Sequence, residues 1–418
     1  MREPIENDRI RSNGKVDVPW IITVLLFTSI YINRMSSFGS FILIGLTLLM
    51  LLYLLMTSDR HDQIKVGFFH FYLFGFSVYC MISSIWALNA DDSISKGITL
   101  FEIMICLSVF FVYYSRERFG VDKLLRAVMW TGYIVSLYTF FDYGLRTIID
   151  LLRNGDRLIS SFNNVNEIAG LCVLAIVITV FFWLEEGFSW SYLFVLPSFF
   201  LLIVCGSRRG VISFVVCVSM ILFLKLFSKR EKIKSKGKII AVCGILVLGL
   251  VALAKTSVFA SLFERMRYLI SSFTGSGDVD HSTSIRKDLI EYGFQVFQSH
   301  PLLGIGIGCT HILVSQRFGA DYYLHNNFVE LLAGGGIIGF LLFYSIHAVV
   351  LFSIFKHGGI SRSRNRIVLA ILALLLITDI ASGSYYSKET FFLLMLCYLH
   401  ASQIKRQIGS DPTEEEMK

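Results

Sequence analysis

Charge is scarce in this sequence. Only 17% of the 418 residues are Asp, Glu, Lys or Arg, while 55% are hydrophobic and the mean hydropathy is +0.65. A water-soluble globule of this size needs a more polar surface, so that class is excluded. No CxxC pair occurs. Most of the eight cysteines (Cys80, Cys106, Cys172, Cys217, Cys243 and Cys397 among them) lie inside apolar blocks. They read as small core residues, and no metal or redox site is expected from them. No cleavable signal peptide is expected either, because the first 18 residues are polar and the first apolar block runs on into others. The net charge of +7 does not signal nucleic acid, since the basic residues gather in particular loops.

What the sequence has in abundance is apolar blocks of about 20 residues, the length that crosses roughly 30 Å of hydrocarbon. Helices are the default there, because unsatisfied backbone groups are too costly in lipid. Twelve spans are expected, near 19–33, 38–57, 66–87, 98–114, 125–144, 167–184, 190–205, 210–227, 239–254, 326–355, 367–386 and 390–403. The tenth is long enough to tilt or to break at Gly334-Gly335-Gly336. The expected organisation is an N-tail (1–18), spans one to nine (19–254), a large loop (255–324), spans ten to twelve (325–403) and a C-tail (404–418).

Loop charge sets the expected orientation. One alternate set of loops holds Arg2, Arg9, Arg11 and Lys15, then Arg60 and Lys65, then Arg116, Arg118 and Lys123. It continues with the run at 228–238, Arg362, Arg364 and Arg366, and finally Lys405 and Arg406. The positive-inside rule makes this set, and both termini, cytoplasmic. The acidic loop at 185–191 is the exception. The other set is then outer: 89–97, 145–166, 206–210 and 255–324. Within the last, Ile285, Leu289, Tyr292 and Val296 follow helical spacing. Ser282 or Ser284 is the expected cap of that helix, and His300-Pro301 its end. It is either a solvated lid or the cover of a cavity.

The outer side carries arginines where external loops are usually poor in them. Arg208 and Arg209 sit between Gly206 and Gly210, with Arg157 and Arg286 on the same face. They either snorkel to the interface or converge on an anion. A planar guanidinium fork that stays charged suits a diphosphate. His325 stands at the outer end of the tenth span, followed by Asn326, Asn327 and Glu330. A neutral imidazole beside arginines is suited to general-base work, and a polar helix end is the plain alternative. Glu330, expensive inside a span, either orients the histidine, binds a sugar hydroxyl or is satisfied by a neighbouring helix. GIGIG at 304–308 follows no strand, so a tight turn is expected rather than a dinucleotide loop. Asp278-Val279-Asp280 reads as a flexible loop. Asp91-Asp92 is a stronger acidic candidate, a pair that a metal-dependent transferase can use.

GSRRG at a span end, SIRK…HPLLGIGIG in a long loop, and HNNFVELLAGGGIIGFLLFY entering the next span together resemble the O-antigen ligase/polymerase superfamily. The resemblance covers roughly 155–345. It implies an all-α, polytopic, GT-C-like membrane protein of the bacterial cytoplasmic (inner) membrane with its active site on the outer face. It implies transfer of a glycan from an undecaprenyl diphosphate carrier to a hydroxyl acceptor, inverting, with no metal or other cofactor. Arg208, Arg286 and His325 match the family's motif positions, while Arg209 stands where a small residue is commoner. The partners implied are the lipid-linked donor, the glycan acceptor, membrane lipid and a chain-length regulator protein, with no nucleic acid. The texture of HNNFVELL…GGIIGF is closer to Wzy-type polymerases of O-antigen or capsule, with lipid A-core ligation as the alternative. A flippase of the same lipid-linked glycan would carry mid-span cations and internal repeats; neither is visible.

Overall fold

The computed structural model describes residues 17–32, 38–58, 66–160, 163–227, 237, 239–240, 244, 257–274, 281–319, 321–358 and 363–409. Most of the expected ninth span and of the basic run at 228–238, together with Asp278-Val279-Asp280, Cys243 and the charges Arg2, Arg9, Arg11, Lys15, Arg60, Lys65 and Arg362, lie outside the described residues.

All regular structure among the described residues is helical. In chain order the α-helices are α1 (Val18–Ile32), α2 (Phe38–Thr57), α3 (Phe68–Ile82), α4 (Ala90–Arg116) and α5 (Gly120–Tyr143). Then come α6 (Leu145–Asn154), α7 (Val165–Glu186), α8 (Leu196–Val204), α9 (Arg208–Leu226) and α10 (Ser257–Thr274). The series ends with α11 (His281–Ser299), α12 (Thr310–Phe318), α13 (Asn327–Ser353), α14 (Ser363–Ala381) and α15 (Lys388–Gly409). Seven helices among the described residues are long and apolar enough to cross a membrane: α2, α3, α4, α5, α7, α9 and α13. α1 and the segment ending in α8 are shorter apolar helices. The protein is a helical membrane protein.

α7 is enclosed along nearly its whole length, and Leu171, Cys172, Val173 and Ala175 are buried. α2 instead turns Phe41, Leu48, Leu52, Leu55 and Met56 outward. The pairs α3–α4, α9–α14, α1–α5 and α5–α7 form the main packing. The acidic loop at 185–191 has a local cause. Glu185 meets Lys225 and Arg366 at 2.7 and 2.8 Å, and Glu186 meets Arg126 at 2.6 Å. These acids neutralise basic residues packed at the same end of the bundle.

The expected break in the tenth span falls at Gly336, whose backbone (φ 60°, ψ −168°) only glycine adopts readily. The break frees backbone groups inside an apolar bundle, where each orphan costs several kcal/mol. The turn 301–308 supplies their partners. Ile305 and Gly306 donate to the carbonyls of Ala333 and Gly334 at 3.0 and 2.9 Å. Ile337 and Ile338 donate to the carbonyls of Pro301 and Leu302 at 2.9 and 3.4 Å. GIGIG is thus a tight turn, with Gly304, Gly306 and Gly308 all at positive φ. The helix before it starts at His281, so Ser282 and Ser284 lie within its first turn rather than capping it.

A Cβ at Gly336 would meet the Leu302 carbonyl oxygen at 2.2 Å. Gly336→Ala therefore combines left-handed strain, of order 1–3 kcal/mol, with a backbone clash. The purified variant is expected to melt several degrees below wild type. Gly45→Ala, where nothing lies within 4 Å of the added Cβ, is the control and is expected to melt with wild type.

Candidate active site

Four helices begin at one end of the bundle, each with an Asn or Ser cap. Asn89 accepts from the Asp91 N–H, Asn164 from Asn166, Ser207 from Gly210 and Asn326 from Val329. Such caps satisfy otherwise orphaned donors and fix where each helix starts. The residues just inside the caps are Asp92, Glu167, Arg208 with Arg209, and Glu330.

Arg157, Arg208, Arg209 and Arg286 line one cavity of about 340 Å³ there, with Asn166 and Ser207. Arg157 donates from Nε to the Cys205 carbonyl at 3.0 Å and from Nη2 to Asn166 Oδ1 at 2.9 Å. The Ser207 hydroxyl donates to the same Asn166 oxygen at 2.9 Å. The two adjacent arginines diverge. Arg209 is tied to Glu167 at 3.0 Å and to Ser382 at 2.7 Å. Arg208 reaches the Thr283 hydroxyl at 3.0 Å, on the first turn of α11, the helix that carries Arg286.

His325 lies within electrostatic reach of Arg286, one of the cavity's arginines. Its φ of 53° makes it the one non-glycine residue with positive φ among the described residues. Left-handed backbone in a non-glycine residue costs energy and persists only where surroundings hold it. The following motif supplies that hold. Asn326 caps α13 and donates to the Ile380 carbonyl at 3.2 Å. The Asn327 side chain accepts from the N–H groups of Ser384 and Tyr385 at 2.8 and 3.0 Å. Glu330 accepts from the Leu324 N–H at 2.9 Å and from the Thr310 hydroxyl. Glu330 makes no hydrogen bond to His325 among the described contacts; it holds the backbone one residue earlier.

The His325 ring lies 4.0 Å from the Tyr323 ring, centroid to centroid, and its Nδ1 is buried with no hydrogen-bond partner among the described residues. Burial, and then the Arg286 charge, push its pKa down from 6.5 to about 4. The imidazole is therefore neutral at neutral pH.

Sequence reasoning missed several neighbours. Asn166, Ser207 and Glu167 were legible as cap and first-turn positions. Tyr323 and His311 had no local signal. His311 is gripped between Asp92 and Asp321, at 3.1 Å on each ring nitrogen. Burial pulls its pKa down, but the hydrogen bonds and charges of the two carboxylates outweigh that and raise it. The Asp91-Asp92 pair is split, with Asp92 on His311 and Asp91 exposed. Among the described residues no group of three or more His, Cys, Asp or Glu side chains is placed to hold a metal ion.

Residues 192–344 match the family model described as O-antigen ligase. The matched stretch contains Arg208, Arg209, Arg286, His325 and Glu330, and Arg157 lies before it. The match supports the O-antigen ligase/polymerase superfamily, and with it a membrane enzyme that processes glycans. A search of curated proteins finds no match.

The His325 pKa has a checkable sign. A histidine whose folded pKa is depressed binds fewer protons folded than unfolded. Its contribution to stability is present above the unfolded value of about 6.5 and is lost as pH falls toward about 4. Arg286→Ala removes the second cause and is expected to move the His325 titration upward, read by NMR of labelled histidine. An unchanged titration would show that Arg286 does not act on His325.

Proposed function

We propose that this protein transfers a glycan from an undecaprenyl diphosphate carrier to a sugar hydroxyl at the outer face of the bacterial cytoplasmic membrane, with both termini inside. The observation that carries the reading is the convergence of four arginines on one cavity, with a neutral histidine within electrostatic reach of one of them, Arg286. In this reading Arg208 and Arg286, which both line the cavity, hold the diphosphate. The N-termini of α7 and α9 add positive field at the same cavity.

The acceptor hydroxyl oxygen attacks the anomeric carbon. The bond from that carbon to the diphosphate oxygen breaks, with inversion, and the hydroxyl proton passes to His325. The lipid diphosphate leaves with the electron pair, its charge met by guanidinium groups that do the work of a divalent cation. A bound diphosphate also offsets the Arg286 charge, which moves the His325 pKa upward when donor is in place.

Repeat-unit polymerisation into O-antigen or capsule is the reading we adopt, with a chain-length regulator as a further partner. Ligation to lipid A-core is the second reading, favoured by the description of the matched family as O-antigen ligase.

The test is complementation of a strain lacking the gene, with surface glycan resolved on a gel at matched membrane levels. Wild type is expected to restore a ladder of many repeats. His325→Asn keeps a residue that tolerates left-handed backbone, so it is expected to retain wild-type melting while transfer drops on the order of 10²–10⁴-fold. Arg286→Ala is expected to leave single repeats. A null strain that still builds long carrier-linked polymer makes the protein a ligase. Wild-type ladders from both variants would defeat the catalytic assignment.

A further inference from the structure

A second cavity, of about 330 Å³, lies on the other side of Tyr323. It is walled by Lys96 from α4, His311 from α12, Asp321 and Tyr323 from the loop, Glu330 from α13 and Tyr386. Its size falls at the lower end of small-ligand sites, about 300–1,000 Å³. Its charge differs in kind from that of the arginine cavity. Lys96 and His311 stand against the carboxylates of Asp92, Asp321 and Glu330, which leaves no cationic excess for a phosphate.

The groups presented are those that grip hydroxyls. The Lys96 ammonium lies 3.8 Å over the Tyr386 ring, and no carboxylate among the described residues is within ion-pair distance of it. Asp321 is bound to His311 Nδ1 yet its side chain is 77% exposed, so its second oxygen can accept. The Tyr386 ring adds an aromatic wall. Tyr323 lines this cavity, and its ring lies 4.0 Å from that of His325, whose other electrostatic neighbour is Arg286 of the arginine cavity. His325 and Tyr323 therefore form a partition, with guanidinium groups on one side and a mixed polar and aromatic chamber on the other.

We propose that this second cavity is a sugar subsite that seats the acceptor glycan, so that its attacking hydroxyl reaches His325 from the side opposite the diphosphate. The inference rests on the transferase reading and adds where the acceptor sits and what recognises it. A base on the partition touches the nucleophile while the leaving group stays on the arginine side, the separation that a single in-line displacement needs.

The experiment uses the full chain, purified, and the free repeat-unit oligosaccharide released by mild acid from the producing cell's carrier lipid. Binding is followed by ligand-observed NMR. Lys96→Gln is expected to weaken binding about tenfold, equivalent to about 1.4 kcal/mol. Asp321→Asn, in an exposed loop where folding is not at risk, is expected to weaken it several-fold. Arg208→Ala is expected to leave it unchanged, and inorganic diphosphate is expected not to displace the sugar. The proposal is overturned if wild type does not bind the oligosaccharide, if the cavity variants bind as wild type does, or if diphosphate displaces it. Transfer kinetics separate this from the reading beneath it. Wild type that binds the sugar with this pattern but transfers from no carrier-linked glycan upholds the subsite and defeats the transferase. Transfer with an unchanged acceptor KM in Lys96→Gln and Asp321→Asn defeats the subsite and leaves the transferase standing.

Discussion

Residues 304–307 of the turn 301–308 are buried against α13, and the backbone of the turn completes that helix where its own sequence breaks it. At Gly336 the carbonyls of Ala333 and Gly334 and the N–H groups of Ile337 and Ile338 lose their helical partners, and four groups of the turn replace them. In an apolar interior no water is available to do so. The pairing fixes the turn, and the turn is stitched onward. Leu88 donates to the Ile305 carbonyl, Ser93 to that of Ile307, and the Ser83 hydroxyl accepts from the Ile307 N–H. The end of α3, the start of α4 and the start of α13 are thereby locked to one another. Asp92, Lys96, His311 and Glu330 owe their mutual positions to that lock.

A similar economy governs His325. Its left-handed backbone is held by groups that carry no chemistry of their own: the Asn326 cap, the Asn327 side chain on the 384–385 backbone, and Glu330 on Leu324. Tyr344 ties Asn327 to Asp379 in α14, so the histidine is referenced to both α13 and α14. A strained residue held this firmly is the usual mark of a preorganised site. The buried, unpartnered Nδ1 and the nearby Arg286 keep its imidazole neutral.

The two ends of the bundle handle charge differently. At one end basic side chains are matched by acids: Glu185 with Lys225 and Arg366, Glu186 with Arg126, Asp122 with Arg364. At the other end four arginines line one cavity, and of these Arg209 is matched by Glu167. Burying charge near lipid is costly unless a partner is supplied.

Much of this was written in the sequence. Apolar blocks of the right length made the protein a membrane-spanning α-helical chain, because lipid leaves the backbone no alternative. GGG marked the place where the tenth span breaks, and Asn or Ser before an apolar run marked where helices start. Arg208, Arg286 and His325 were visible as polar residues in places that lipid penalises. What the sequence could not say was which of these side chains meet. That Arg209 turns to Glu167 and Ser382 while its neighbour turns to Thr283 depends on how α7, α9, α11 and α14 pack. That Glu330 holds Leu324 rather than His325, and that His311 lies between Asp92 and Asp321, depends on the insertion of the turn into the broken helix. Propensity and hydropathy act along the chain, over a few residues. The partners of a buried polar group are set by contacts across the bundle, and only the tertiary structure decides those.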